Sequence, residues 1–228
     1  MNLSEAYYKS DFDQNGLTDL LVIGEDDHLQ IFIAMNYGGD SLKLFRLTRQ
    51  FWNCSFPVIQ RDTLINYHYL KVFPVFRPTP AMKELVFKYG DFIEYNENSG
   101  LYVIERIEYE TTHCLGSCPI FTLEIHQNRK AKYQKNPHYQ KKEKTKIKKA
   151  TISEEHYMQI VDLLNYIDFP NLEDDYQINA SDNQTCYLSI TYNDGKVKKI
   201  RDYGLRGTYG LDRLYQLLFD LRSNQEWK

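Results

Sequence analysis

The sequence predicts an α+β protein in which an N-terminal all-β unit, meander-like or sandwich-like, precedes an antiparallel sheet with two helices on one face. The chain has 228 residues, of which 19 are tyrosine, and aromatic side chains favour strands because they suit a pleated, half-buried surface. Short stretches of alternating apolar and polar residues are separated by turn residues from Leu20 onward, which is typical of strands. Two stretches after Ser153 instead have the apolar spacing of amphipathic helices.

The N-terminal unit, residues 1–96, is expected to consist of short strands. The candidate strands are residues 20–23, 29–35, 41–47, 52–59 and 64–72. Residues 73–80 contain three prolines and are expected to cross between strands rather than to form a central one, because proline cannot donate a ladder hydrogen bond. A hairpin is expected over residues 85–95, with its turn at Gly90-Asp91. The polar residues 96–100 have the composition of a linker.

The C-terminal unit, residues 101–228, is expected to have the element order β-β-β-β-α-β-β-α. Its strands are predicted at residues 101–110, 120–125, 130–135, 144–151, 185–192 and 196–202. Pro119 leads into the second of these strands, and proline is tolerated at the start of a strand. Ser153 is a candidate N-cap and is followed by two glutamates, which the helix dipole favours in a first turn. This order predicts one antiparallel sheet with both helices on one face.

The segment from Asp11 to Asp19 has the spacing of a calcium-binding loop. Oxygen-bearing side chains stand at positions 1, 3, 5 and 9 of the loop, and glycine stands at position 6; a tight loop wraps such oxygens around Ca²⁺. The predicted ligands are Asp11, Asp13, Asn15, the carbonyl of Leu17, and Asp19. Three carboxylates predict weak affinity, so the site would fill at extracellular or periplasmic calcium concentrations.

The surroundings of this loop exclude an EF-hand, because position 12 is Val22 instead of glutamate and the flanks lack helical periodicity. The pattern D-x-D-x-[DN]-G-x-x-D before a strand resembles the calcium loop of FG-GAP and VCBS repeats. The sequence contains one such loop, so a propeller built from several repeats is not expected. The alternative is an Asn15-Gly16 turn with solvated acids around it, since that dipeptide is a turn signal by itself.

Cys114 and Cys118 bracket a short turn that contains Gly116. They are compatible with a local disulfide, with half of a metal site that would also need His113 or the distant Cys186, and with a nucleophilic thiolate. They are equally compatible with two small buried residues at a turn. No second motif supplies the base that a nucleophilic thiolate requires.

Residues 114–121 have the pattern C-x-G-x-C-P-x-[FY]. This pattern resembles the signature of an uncharacterised bacterial family described as a domain of unknown function. Further similarity lies in Ser181-Asp182, the Asp194-Gly195 turn and Asp202-Tyr203-Gly204. The resemblance covers residues 101–228 and implies no known activity, although it implies export for many members.

Residues 129–149 form a strongly basic segment, with ten lysines or arginines and one acid, Glu143, in a chain whose net charge is −3. In the predicted hairpin the outward face is formed by Lys130, Lys132, Lys144, Lys146 and Lys148. Ala131, Tyr133 and Ile147 are expected to turn inward. Such a surface can dock an acidic protein, an anionic surface or RNA, or it can be a solvated edge hairpin whose lysines block pairing with other sheets. Nucleic acid is disfavoured because phosphate recognition favours arginine.

We expect a non-enzymatic binding protein that is stabilised by Ca²⁺, of the inhibitor or immunity type, whose partner is another, acidic protein. The alternatives are a thiol-dependent enzyme or redox protein that uses Cys114 or Cys118, and a nucleic-acid-binding protein that uses residues 129–149. No run of about 18 apolar residues is present, so no membrane span is expected. The start of the sequence lacks a signal peptide, which predicts a cytoplasmic protein if Met1 is the native start and a periplasmic or secreted one if a signal was removed.

Overall fold

The structure, a computed structural model, describes residues 7–25, 29–39, 41–49, 55–61, 63–71, 77, 79–135 and 146–228. The chain divides into two compact units, Met1–Tyr95 and Asn96–Lys228. Several antiparallel sheets and two α-helices make it an α+β protein, as the sequence predicts. Within the described ranges no helix is long and apolar enough to cross a membrane.

The first unit contains two four-stranded antiparallel sheets, in each of which strands that follow one another along the chain are paired. The first sheet consists of β1 (Tyr7–Ser10), β2 (Asp19–Glu25), β3 (Leu29–Asn36) and β4 (Leu42–Arg46). The second sheet consists of β5 (Ser55–Arg61), β6 (Leu64–Lys71), β7 (Thr79–Lys88) and β8 (Asp91–Glu94). Short connections favour this arrangement because they can join only antiparallel neighbours.

Aromatic rings join the two sheets of the first unit. Phe45 of β4 contacts Phe87 of β7 and Phe92 of β8, with ring centroids 5.4 and 5.9 Å apart. Phe12, in the loop between β1 and β2, contacts Phe92 at 5.8 Å. All three contacts are edge-to-face, the geometry that ring quadrupoles favour. Because Phe12 is buried, the acidic loop is anchored in the hydrophobic core of this unit.

The second sheet differs from the prediction at its proline-rich segment. β7 begins at Thr79 instead of near residue 85, and Pro80 lies inside it, opposite Leu70 of β6. β8 pairs with β7 only from Leu85 onward, so the first half of β7 is a sheet edge. Proline is tolerated at an edge, because a missing N–H can face solvent there.

The hairpin that joins β7 and β8 turns one residue earlier than predicted. Tyr89 and Gly90 form the turn, with φ of 55° and 79°, and Asp91 is already the first residue of β8. Two successive left-handed residues form a primed turn, whose twist matches that of the flanking strands. The prediction of Gly90-Asp91 as the turn is therefore wrong by one position.

The second unit is built on a seven-stranded sheet. Its strands are β9 (Ile104–Thr111), β10 (Phe121–His126), β11 (Lys130–Lys135), β12 (Ile147–Thr151), β13 (Asp175–Gln177), β14 (Thr185–Tyr192) and β15 (Lys196–Tyr203). They lie in the spatial order β12-β11-β10-β9-β14-β15-β13. The helices are α1 (Glu154–Tyr166) and α2 (Tyr209–Asn224), and a 3₁₀ turn over Phe169–Asn171 follows α1.

Both helices begin at a hydroxyl side chain. Ser153 Oγ accepts the N–H of His156 at 3.3 Å, as predicted, and Thr208 Oγ1 accepts the N–H of Leu211 at 3.0 Å. Each bond satisfies a backbone donor that has no partner inside the helix.

The sheet of the second unit has one buried face. Tyr215 of α2 stacks on Tyr109 of β9 at 5.6 Å between ring centroids, and Phe219 of α2 meets Phe121 of β10 at 5.2 Å. Alternate residues of β9, β10 and β14 are buried, whereas the intervening ones are partly or fully exposed. One face therefore packs in the core, and we call the other the open face.

The sequence predicts a wholly antiparallel sheet, but the structure contains one parallel pair of strands, so this prediction is wrong at one edge. β13 is an additional strand that pairs in parallel with β15, from Asp175 opposite Arg201 to Gln177 opposite Tyr203. An ion pair of 2.6 Å between Asp175 and Arg201 accompanies this pairing. With three residues, β13 is too short to show a periodic pattern, and its position is decided by β15, which follows it in sequence.

Candidate functional site

Backbone hydrogen bonds to acidic side chains close the loop between β1 and β2. Asp11 accepts the N–H groups of Asn15 at 3.0 Å and Gly16 at 2.9 Å, and Asp13 accepts that of Asn15 at 3.3 Å. Gly16 has φ of 84°, a left-handed conformation that glycine adopts without steric cost. The loop therefore turns tightly around its own carboxylates.

The carboxylates of Asp11, Asp13 and Asp19 lie together, with one oxygen of each within 4.8 Å of the others. Asp19 is fully buried, and its two oxygens accept the backbone N–H groups of Phe12 at 2.8 Å and Asn36 at 2.7 Å. Burial raises the pKa of Asp13 against the opposing hydrogen bond from the loop backbone, and the charges of Asp19 and Asp11 raise it further. A cation bound among these like charges would remove their repulsion.

The other two predicted calcium ligands, Asn15 and Leu17, make hydrogen bonds within this region. Asn15 Nδ2 donates to the carbonyl of Asn36 at 2.8 Å and to Asp13 at 3.1 Å, and Asn15 Oδ1 accepts the N–H of Leu17 at 2.8 Å. The Asn15 side chain thus braces the loop. The three clustered carboxylates form an all-oxygen donor set of the kind that Ca²⁺ prefers, and they are the residues that would hold it.

A disulfide joins Cys114 and Cys118, whose Cα atoms lie 5.8 Å apart. The side-chain amide of Gln184 donates to the carbonyls of Thr112 at 2.8 Å and Pro119 at 2.7 Å. These carbonyls flank the bridge on either side in sequence. One glutamine from a distant part of the chain therefore braces both ends of the disulfide loop.

Three of the segments that carry the family resemblance meet at this end of the sheet. The N–H of Leu115 donates to the carbonyl of Asp182 at 3.1 Å, and the N–H of Gly204 donates to the carbonyl of Gln184 at 2.8 Å. These bonds connect the disulfide loop to the turn before β14 and to the segment that joins β15 to α2. We call this the loop cluster, formed by residues 112–120, 180–185 and 202–208.

A buried polar cluster in the second unit is not among the sites that the sequence predicts. Cys186 and Asp202 are opposite each other in β14 and β15, and both are fully buried. Burial raises the pKa of the Cys186 thiol to about 12. A buried, protonated thiol is unreactive. The available signal was Asp202 itself, which stands two residues after the inward-facing Ile200.

The hairpin of β11 and β12 has a different register from the predicted one. Lys132 is opposite Lys149 and Tyr133 is opposite Lys148, so Lys148 shares a face with Tyr133 instead of with Lys132. Ile147, predicted to turn inward, is 55% exposed. A shift of one residue moves every side chain of a strand to the other face. Because the connection between these strands is long, no turn pattern in the sequence specifies their register.

The five lysines of the predicted electrostatic surface therefore do not share one face. Lys130 and Lys132 lie on the open face, where Lys149 joins them. Lys148 lies on the opposite face, and Lys146 precedes β12. Lys144 lies outside the described residues.

Charges on the open face are arranged in columns along the strands. The central column, on β9 and β10, is mainly acidic: Glu108, Glu110 and Glu124 share this face with Arg106 and His126 at one end. It is flanked on one side by Lys130, Lys132 and Lys149 of β11 and β12, and on the other by Lys199 and Arg201 of β15. A groove of about 960 Å³ on this face is lined mainly by residues of these strands.

Ion pairs partly neutralise the central column. Arg106 lies 3.0 Å from Glu108, and Lys132 lies 3.2 Å from Glu124. Burial alone would raise the pKa of Glu124, but hydrogen bonds from Lys132 and His126 outweigh burial and lower it. Glu124 is thus held as a carboxylate by neighbours on the same face.

The family model described as "Domain of unknown function (DUF6438)" matches residues 105–222, a little more than half of the chain. The chain belongs to the DUF6438 family. The match confirms the resemblance to an uncharacterised domain family, and the DUF6438 domain includes the disulfide loop, the loop cluster and the open face. It does not extend to the acidic loop of the first unit, for which the likeness to FG-GAP repeats stays a prediction. No curated protein and no solved structure matches the chain.

Proposed function

We propose that the chain is a non-enzymatic binding protein whose DUF6438 domain docks an acidic protein on the open face of its sheet. The observation that carries this proposal is the arrangement of accessible charges in columns on that face. Ordered charge gives a partner both orientation and register, because mismatched placements bring like charges together. An inhibitor or immunity protein acts in this way, by occupying a partner instead of transforming a substrate.

The state of the cysteines favours a binding protein over a thiol-dependent enzyme or redox protein. Cys114 and Cys118 are bonded to each other, and Cys186 is buried with its pKa raised to about 12. A nucleophilic thiolate needs exposure and a lowered pKa. Cys54 lies outside the described residues.

The docking proposal is tested with polyglutamate as an acidic probe, measured by fluorescence anisotropy at low and at high salt. Polyglutamate is expected to bind, and its affinity is expected to fall as salt rises, because screening shortens the reach of exposed charges. A random oligonucleotide at the same charge concentration is the comparison. If the oligonucleotide bound more tightly than polyglutamate, nucleic-acid binding would replace the proposed function.

Ca²⁺ is the second part of the proposal, as a stabiliser of the first unit. Its support is the group of three carboxylates within 4.8 Å of one another. At ten times its Kd, a cation that binds only the folded unit adds about 1.4 kcal/mol of stability. Calorimetry of the whole chain with Ca²⁺ and with a chelator is expected to show a calcium-dependent melting temperature that Asp13→Ala removes. An unchanged melting temperature at millimolar Ca²⁺ would refute the proposal that Ca²⁺ stabilises the first unit.

A further inference from the structure

We propose that Lys130, Lys132 and Lys149 form the contact site for an extended acidic segment of the partner, one that carries carboxylates on alternate residues. This inference rests on the proposed function and specifies where and in what form the acidic partner is bound. It replaces the predicted surface of five lysines with three that the sheet places on one face. We call these three residues the lysine triad.

The lysine triad concentrates like charges at neighbouring positions. Lys132 and Lys149 are directly opposite each other in the β11–β12 pair, and Lys130 lies two residues along β11 on the same face. Like charges in directly opposite positions destabilise a sheet. An acidic ligand would relieve this repulsion, and the relief would contribute to its binding.

The acids of this face do not neutralise the lysine triad. Lys132 Nζ donates to both oxygens of Glu124, at 3.2 and 3.3 Å, and one of these oxygens is also 2.5 Å from Nε2 of His126. Within the described part of the chain, no carboxylate forms an ion pair with Lys130 or Lys149. Glu226 also lines the adjoining cavity, but among the described residues the carboxylate that pairs with the triad is that of Glu124, and His126 shares it. Three lysines beside two acids leave an excess of one positive charge for a partner.

A cavity adjoins the lysine triad and has room for a short peptide. Its volume is about 880 Å³, and its lining includes all three lysines, the inward-facing Ala131, and Gln225, the acidic Glu226 and Lys228 near the end of the chain. The backbone of Lys228 exchanges two hydrogen bonds with that of Lys149, of 2.8 and 3.0 Å. The backbone of β12 is thus already paired at this point, so the acidic segment would lie across the side chains instead of adding a strand there.

The spacing of the triad specifies the form of the ligand. Lys130 and Lys132 are alternate residues of one strand, and side chains on one face of a strand repeat about every 6.6 Å. An extended peptide with acids on alternate residues has the same repeat, so two of its carboxylates match Lys130 and Lys132, while Lys149 lies beside Lys132 and adds a second cation at that position. Lysine provides point charges and not the planar fork of arginine, which suits separate carboxylates better than one compact anion.

The test uses two peptides of equal charge, one with glutamate on alternate residues and one with the glutamates in a single block. Binding to the full-length chain is measured by fluorescence anisotropy at low salt. The triad variant Lys130→Gln, Lys132→Gln and Lys149→Gln is expected to bind the alternating peptide about tenfold more weakly, because each exposed ion pair contributes only a few-fold. The block peptide is expected to bind more weakly than the alternating one.

A second triple variant removes the same charge elsewhere on the same hairpin, by Lys135→Gln, Lys146→Gln and Lys148→Gln. It is expected to change affinity less than twofold, and the charge-preserving variant with arginine at the triad is expected to retain binding. Equal losses in the two glutamine variants, or equal affinity for the two peptides, would overturn the inference. If polyglutamate still bound the unaltered chain, those results would not affect the proposed function. If polyglutamate did not bind the unaltered chain, both the proposed function and this inference would be refuted.

Discussion

Replacing Asp19 with alanine is expected to destabilise the first unit by about 3 kcal/mol even without a cation. The carboxylate is fully buried and accepts two backbone N–H groups, those of Phe12 at 2.8 Å and Asn36 at 2.7 Å. Each buried donor that loses its acceptor costs roughly 1–3 kcal/mol, and alanine removes both acceptors. Because Asn36 is only partly buried, the total is expected in the lower half of the combined range of roughly 2–6 kcal/mol.

Amide hydrogen exchange read by mass spectrometry separates the two units in this experiment, because peptides from β2 and β3 report on the first unit and peptides from β14 and β15 on the second. A loss of about 3 kcal/mol corresponds to exchange in β2 and β3 about 100-fold faster, with β14 and β15 unchanged. Asp13→Ala is the matched control, since among the described residues the hydrogen bonds of Asp13 lie within its loop, and it is expected to accelerate exchange less than fivefold. Equal effects of the two substitutions would refute a special structural role for Asp19.

Three further perturbations probe the DUF6438 domain. Replacing Cys114 and Cys118 with serine is expected to lower its stability by about 2 kcal/mol in urea unfolding, because the bridge closes only a short loop; an unchanged midpoint would show that the loop is held by its hydrogen bonds alone. Gly207→Ala is expected to cost about 1–3 kcal/mol, since the added Cβ would lie 2.7 Å from Cγ of Tyr176, and a neutral result in the same assay would mean that the ring moves aside. Burial raises the pKa of Cys186 from near 9 to about 12, so the folded state keeps this proton where the unfolded state releases it. Stability from this group is therefore complete below about pH 9 and lost as the pH rises towards 12; Cys186→Ala is expected to flatten that decline, and an identical pH profile would contradict the assignment.

Features that depend on neighbouring residues were predictable. Ser153 caps α1 because its hydroxyl accepts an N–H only three residues ahead, and the Asn193–Gly195 turn joins β14 to β15 because three successive left-handed residues reverse the chain there. The α+β class and the resemblance to a domain of unknown function also follow from short patterns. The carboxylate spacing of the acidic loop is equally local, whereas its calcium binding stays a prediction.

Features that depend on distant residues were not predictable. β13 pairs with a strand more than 20 residues further on, and Pro80 fits in β7 because β8 does not extend that far. The loop cluster relies on Gln184, which bonds carbonyls 72 and 65 residues earlier in the chain. No local pattern marks this glutamine, because its role exists only after the sheet has formed.

The sequence by itself determined both helices and most of the strands, where the acids, thiols and lysines stand, and the resemblance of the second unit to a domain of unknown function. Only the tertiary structure decided which of those side chains share a face, because pairing register follows from packing on the core and not from residue spacing. It placed Lys149 opposite Lys132 and turned Lys148 away. Alternate residues of each strand place their charges on opposite faces of the sheet. The pairing register with the neighbouring strand then decides which charges of the two strands lie on the same face.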